Sequence, residues 1–386
     1  MIADHALLAL LPHFEKSVMK LNPLVDKILK TDWTPDLVEK YIGGYKKTYF
    51  SHATNESIRN NGASGGSVTA ILHYLLQSKE IDGALVCRSV VDQGKVYTEF
   101  YIATSKDELM QAQGSKYMAT RFSAQAISLM NHFDGKLAVV TLPCDAKILA
   151  GYREQHPELD QKIKLVITLF CGHNSQPELT EQIVNKLRPD NKQLTNFRYR
   201  AGHWRGHLTA VYEGNQEIKK PFSYFSDYQN LYFYSERKCF HCFDHTGYFC
   251  DLSAGDIWLQ RMKDDPIKHN ALIVRTDAGQ RIVEKASEAQ ELSLEEKPIE
   301  EICEGQSRSL KIHYNISARS RVGRIFKENI KDSVGEKVHW NDYAIAFLIL
   351  FNHKFSQTKN GRKIISHTPR PIIKIYLYLL KGLEIL

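Results

Sequence analysis

The two apolar runs Lys136–Leu142 (KLAVVTL) and Lys164–Phe170 (KLVITLF) constrain the fold of this chain more than any other feature. Each is the length of a strand, and neither shows the polar alternation of a strand with one wet face. Both read as buried β-strands, which need cover on two faces. The expected class is therefore mixed α/β, a central sheet with flanking helices. The first run leads straight into Pro143-Cys144-Asp145 and a helical stretch, and the second ends at Cys171-Gly172. Ligands of α/β sheets gather at the carboxyl ends of strands. Cys144 and Cys171 are thus candidates to face one site; the competing reading makes each a small apolar core residue.

Periodicity places the other elements. Strands are predicted over KKTYFSHA, Ile81–Cys87 and KVYTEFYIATS, and a helix over SVTAILHYLLQSKE. A loop at Gly114–Thr120 precedes a helix over 121–133, and another helix spans Pro177–Leu187. From Phe197 to Trp258, Tyr, Phe and Gly in short alternating runs predict a β-rich lobe. ALIVRTDAGQRIVEKA reads as strand, turn and helix. Four regions result: a helical N-terminal extension (1–45, with helices over Leu7–Val18 and Pro35–Tyr41), an α/β region (46–195), a β-rich region (196–310) and a helical appendage (311–386).

The charge is unevenly spread. The formal net charge is +7, yet residues 304–386 alone hold 15 Lys and Arg against 6 Asp and Glu. Such a region meets nucleic acid, anionic lipid or an acidic protein, or is simply solvated surface. With no zinc finger, helix-turn-helix or aromatic RNA-binding strand, nucleic acid is not an expected partner. No run approaches the ~18 apolar residues of a membrane span. No basic stretch precedes Ala6–Leu11, so no secretory signal is expected and the chain reads as cytoplasmic. Ala344–Phe351 (AIAFLILF) and Pro371–Leu386 are apolar helices flanked by Lys and Arg. They suit either peripheral contact with the inner face of a membrane or docking on protein.

Seven cysteines without an export signal argue against a disulfide scaffold. Cys239, Cys242 and Cys250 fall within twelve residues, in KCFHCFDHTGYFCDLSAGD. The Cys239-x-x-Cys242 pair has the spacing that aims two thiolates at one metal or cluster. No four-cysteine ferredoxin run is present, so a cluster would be assembled from distant segments. Cys87 and Cys303 read as core residues. Near the other end, Ala63-Ser64-Gly65-Gly66 precedes a helix. Glycines at a helix entry admit a ligand to free amide groups, which favour a phosphate; Ser64 and Thr69 add hydroxyls and Arg59 a positive charge. Plain helix capping is the alternative.

Taken together, RNNGASGGSVTAIL, IDGALV, GSKYMAT, LAVVTLPCDAKILAGYR, ITLFCGHNSQPE, FRYRAGHWRG, CFHCFDHTGYFCDLSAGDIW and ALIVRTDAG resemble, in order and over about residues 45–290, the coenzyme F420 hydrogenase/dehydrogenase beta-subunit family. The resemblance implies an oxidoreductase subunit holding FAD and a [4Fe-4S] cluster. Such a subunit passes electrons between iron–sulfur centres and a two-electron carrier such as coenzyme F420. It implies cluster ligation by Cys144, Cys239 and Cys242, with Cys171 as the fourth ligand and Cys250 as its rival. It implies a flavin site lined by Ser64, Gly65, Gly66 and Thr69 with Ser115, Lys116 and Tyr117. Many relatives carry a cysteine-rich ferredoxin-like segment first. Residues 1–45 contain no cysteine, so the expected partner is a separate electron-transfer protein, such as ferredoxin or a second subunit. Lys116, Tyr117, His173 and His203 are the candidate proton donors near the flavin. The rival reading is a non-redox accessory or scaffold protein stabilised by zinc on Cys239 and Cys242 with Cys250 or His245.

Overall fold

The computed structural model describes residues 31–203 and 205–384. Its strands, in chain order, are β1 (Lys47–Ala53), β2 (Gly83–Asp92), β3 (Lys95–Ala103), β4 (Leu137–Thr141), β5 (Ile163–Leu169), β6 (Leu194–Ala201), β7 (His207–Tyr212), β8 (Gln216–Pro221), β9 (Leu252–Asp256), β10 (Asn270–Val274) and β11 (Leu292–Glu296). Eight of them form one sheet in the order β11-β1-β10-β9-β5-β4-β2-β3. The centre, β9-β5-β4-β2, is parallel. Antiparallel strands flank it, β3 on one side and β10, β1 and β11 on the other.

The two apolar runs are β4 and β5, neighbours in this parallel centre, and their side chains alternate between two cores. Ala138, Leu165 and Ile167 pack with Ile71, Leu75 and Val283 from the helices Ser67–Gln77 and Asp277–Glu288. Leu137, Val139 and Val166 face Phe122, Met130, Leu149 and Leu159 on the opposite side. Burial of each such side chain contributes about 1.5–3 kcal/mol, which is why both runs lack polar alternation. Thr276 fixes the entry of the helix Asp277–Glu288: its Oγ1 accepts from Gly279 N at 3.1 Å and donates to Asp251 Oδ1 at 2.6 Å.

Several expectations shift. The strand expected to end at Cys87 continues to Asp92, so Cys87 sits in mid-strand, where burial raises its pKa to about 11. The helix expected over 121–133 opens with a π-helical turn, Phe122–Ala126, before Ile127–His132. The β-rich lobe is confined to β6-β7-β8, a separate antiparallel sheet. The aromatic stretch that follows resembles strand by composition but carries Cys239 in a 3-10 turn, Arg237–His241, with Cys242 immediately after it. The chain then re-enters the large sheet as β9, β10 and β11. The helix Ile299–Tyr314 runs through residue 311. The expected helix Leu7–Val18 lies outside the described residues.

The chain divides into two compact units, one made of Thr34–Ser226 with Ser235–Tyr314. The other includes Asp227–Tyr234 and the helices Ile316–Gly323, Trp340–Gln357, Lys359–His367 and Arg370–Leu383. Within this second unit, Asn352 Nδ2 donates to Leu231 O at 2.8 Å and Tyr376 Oη to Asn352 Oδ1 at 2.8 Å. Arg370 pairs with Asp227 at 3.0 Å.

Candidate functional site

Because β4 and β5 are parallel and paired, with Thr141 opposite Thr168, their carboxyl ends leave the sheet side by side. Cys144 lies at the start of the helix Pro143–Gln155 and Cys171 two residues beyond β5. A connecting segment brings the third component. Ser175 N donates to Tyr117 O at 3.0 Å, Ala119 N to Ser175 O at 2.9 Å, and Glu236 N to Asn174 O at 2.8 Å. Residues 174–175 therefore join the Ser115–Tyr117 segment to the chain entering Cys239 and Cys242. Asn174 N also donates to Cys239 Sγ at 3.4 Å.

These four thiols feel one another. Burial first, then the charges of Cys239, Cys144 and Cys242, push Cys171 well above the ordinary thiol range. Burial likewise raises Cys144, with Asp145, Cys242 and Cys239 adding to it, and raises Cys239 to about 12. Lys238 supplies a neighbouring positive charge, 3.8 Å from Asp145 Oδ1. Around the thiols, Asp145 Oδ2, Ser175 Oγ and Ser235 Oγ are buried without a hydrogen-bond partner. Cys250 is placed differently. Its thiol contacts Ser253 Oγ at 3.3 Å and donates to Gly247 O at 3.4 Å, and the groups acting on it are Arg275, Ser253, Thr168 and Asp251. His245 holds its ring nitrogens 3.0 Å from Cys171 O and Gln306 Oε1, so neither is turned toward the thiols. Among the described residues, no three His, Cys, Asp or Glu converge as a single metal ion would require.

A solvent-open cleft lies at the carboxyl end of β9, lined among others by Ser64, Arg200, His203, Asp256, Trp258 and Lys268. The buried Arg200 organises it. Its Nη1 pairs with Asp256 Oδ2 at 2.6 Å and donates to Tyr117 Oη at 3.4 Å and Ser115 Oγ at 3.5 Å. Its guanidinium lies 4.8 Å from the Trp258 ring centre. Ser64 Oγ donates to Asp256 Oδ1. Burial, then Arg200 and Arg198, lower Lys268 to about 8, while its Nζ donates to Gly62 O at 2.5 Å.

Of the predicted cofactor residues, Ser64 thus lines the cleft, and Ser115 and Tyr117 reach it through Arg200. Arg59 does not: its Nη1 donates to Ala53 O at 2.9 Å and Thr54 O at 3.0 Å, holding the end of β1. Gly65 and Gly66 answer to internal packing. A Cβ on Gly65 would stand 2.7 Å from Ser51 O, and Gly66, at φ +79°, would bring one to 2.8 Å from Ile58 O. Thr69 is half-buried in the helix that follows. Lys116 donates to Ala112 O and Gly114 O, and burial lowers its pKa to about 8. His173 is buried beyond Cys171, and His203 is an exposed part of the cleft wall. Residue-type reasoning missed Arg200, Lys238 and Lys268. Tyr199 and Arg200 are adjacent and both buried on β6, so the alternation in FRYRA did not signal Arg200.

The N-terminal profile of the coenzyme F420 hydrogenase/dehydrogenase beta subunit matches residues 48–125, and its C-terminal profile matches residues 134–300. The chain belongs to this beta-subunit family. As a member of it, the chain is an oxidoreductase. It is 27% identical over 303 residues to the coenzyme F420 hydrogenase subunit beta of Methanothermobacter thermautotrophicus, covering 73% of this chain and 98% of that one. It is also 27% identical to the coenzyme F420-dependent sulfite reductase of Methanocaldococcus jannaschii, over 65% of this chain and 38% of that protein. Its fold is similar to a chain of the F420-reducing [NiFe] hydrogenase complex from Methanosarcina barkeri, with TM-score 0.55 and 19% identity over 76% of this chain and 98% of that one.

Proposed function

We propose that this beta-type subunit is a cytoplasmic iron–sulfur flavoprotein in which Cys144, Cys171, Cys239 and Cys242 hold one [4Fe-4S] cluster and the Ser64 and Ser115–Tyr117 segments hold FAD. The observation that carries the proposal is the set of four thiols, drawn from three segments: beyond burial, the charges of Cys239, Cys144 and Cys242 raise Cys171, those of Cys242 and Cys239 raise Cys144, and that of Cys242 raises Cys239. Buried thiols of this kind keep their protons until a cationic centre replaces them. A four-iron cluster spreads its sulfurs more widely than one ion does, which fits a thiol set without a mononuclear site. The orphaned Asp145, Ser175 and Ser235 oxygens fit a group that completes this pocket. Cys250 stays outside the ligand set, and His245 is engaged elsewhere, so the zinc reading loses two of its donors.

Bound together, flavin and cluster interconvert two-electron and one-electron chemistry. The chain's own residues bind, orient and shield. Lys238 offsets the negative charge of the thiolates, and the Asn174 amide directed at Cys239 favours its ionised form. The Arg200–Asp256 pair shapes the polar wall of the cleft. Tyr117, raised by burial, remains a protonated hydroxyl there, and His203 is the exposed proton donor on the cleft wall. Lys116 and His173 act from outside the cleft, Lys116 by fixing the backbone before Tyr117. The two-electron carrier is coenzyme F420 or a similar soluble carrier. The electron partner is a ferredoxin or a second subunit.

Anaerobic purification tests this directly. The expected product is brown and carries about four irons and one FAD per chain. Its flavin absorbance should bleach with one of reduced deazaflavin, NADH, NADPH or reduced ferredoxin. A colourless protein with one zinc and no flavin would overturn the proposal.

A further inference from the structure

The matched family profiles end at residue 300, and the Methanothermobacter subunit is covered almost whole by 73% of this chain. The helices after Asn315 are therefore an addition to the family core, and their surface is unlike the rest. Of thirteen large apolar side chains exposed among the described residues, eight lie beyond residue 315. The same stretch, residues 315–386, holds 13 Lys and Arg against 5 Asp and Glu.

One face of this unit concentrates both properties. On the helix Trp340–Gln357, Trp340 (63% exposed), Tyr343, Phe347 and Phe351 recur every three or four residues and share one side. Phe347 and Phe351 stack at 6.3 Å with planes 7° apart, and the stack continues to Phe355 at 5.7 Å. Phe326 packs on Phe347 at 5.2 Å, which brings Ile325, 68% exposed, beside the stripe. Basic groups border it. Arg321 Nη1 donates to Tyr343 Oη at 2.8 Å, and the exposed Arg324 and Lys327 flank Ile325 and Phe326. No described helix is long and apolar enough to cross a membrane. Exposed Trp, Tyr and Phe bordered by Arg and Lys form the pattern of an element lying in a bilayer interface, apolar rings among the acyl chains and cations at anionic headgroups.

We propose that this aromatic face docks the protein peripherally onto an anionic lipid surface. The positive border selects the occupant, because a neutral apolar partner would offer no counter-charge to the exposed Arg324 and Lys327. The contact is independent of the cluster and flavin.

Flotation of the full chain with phosphatidylcholine vesicles, with and without phosphatidylglycerol, tests this. Wild type should float with the anionic vesicles only, and Trp340 emission should shift to the blue, a shift that Trp340→Phe removes. Phe347→Ala/Phe351→Ala should abolish flotation. Arg324→Gln and Lys327→Gln should each weaken it roughly fivefold, and more salt should weaken wild type. Unchanged circular dichroism and thermal midpoint in every variant would exclude unfolding as the cause. Absence of flotation by wild type overturns the proposal. So does a concentration-dependent dimer that the aromatic substitutions abolish, which would make the face a contact between copies of this chain.

Discussion

The cleft around Arg200 and the cysteine-lined edge of β4 and β5 belong to the same unit but differ in how complete they are. In the cleft, charged groups are answered by protein: Arg200 by Asp256, Ser115 and Tyr117, and Lys268 by Gly62 and Asn60. At the cysteine edge, the contacts to sulfur are long. Cys144 donates to Asp145 Oδ1 at 3.6 Å and Cys242 to Asp244 O at 3.4 Å, while three buried oxygens nearby have no partner. A polar network closed on itself keeps its shape without a ligand. Under the proposed ligation, the gathered thiols rely on the cluster they bind.

The sharpest break of this contrast is at the thiols. Cys144→Ala or Cys239→Ala should lose essentially all iron, read by metal analysis and visible absorbance of anaerobically purified protein. Full iron in both variants would sink the ligand assignment. Next is the cleft: Asp256→Ala leaves Arg200, 3% exposed, without its ion pair. Stability should fall by about 3 kcal/mol, while Arg200→Met/Asp256→Leu should lose less. Urea unfolding with an unchanged slope measures both, and an unmoved midpoint for Asp256→Ala would remove the network from the account.

A smaller effect concerns Lys116, whose folded pKa of about 8 lies below its ordinary value of 10.5 because of burial. Between those pH values the unfolded chain binds more protons, so stability rises with pH. Relative to Lys116→Met, wild type should gain about 2 kcal/mol of stability from about pH 8 to pH 10, less than the loss from Asp256→Ala. Parallel curves would show that the ammonium is not desolvated. The smallest change is expected for Cys250→Ala, which should keep its iron and lose about 1 kcal/mol from the contacts to Ser253 and Gly247. Iron loss there would move the fourth ligand from Cys171 to Cys250.

The central sheet was legible because burial on two faces writes itself into KLAVVTL and KLVITLF as unbroken apolar runs. The positions of Cys144 and Cys171 beyond those strands were legible for the same reason, since the ends of such strands are fixed in sequence. The region from Phe222 to Cys250 was not. Tyr, Phe and Gly favour strands by composition, yet here Ser223–Gln229 is a helix and Arg237–His241 a 3-10 turn, and no local pattern announces that the chain rejoins the sheet at Leu252. Arg59 and Gly66 show the converse limit. Their residue types suit an anion site, but the partners that claim them are carbonyl oxygens within the fold. Arg200 needed knowledge that β6 lies beside the Asp256 carboxylate, a pairing across 56 positions.

The union of residues 117–119, 174–175 and 235–236 bears on biogenesis. At about 5–20 residues per second of translation, some 5–20 s separate the appearance of Cys144 from that of Cys242. Strands β9 and β10, which fix the far side of the sheet, emerge later still. Under the proposed four-thiol ligation, cluster assembly waits until the chain has been made past Cys242, and the early thiols need protection from oxidants throughout that interval.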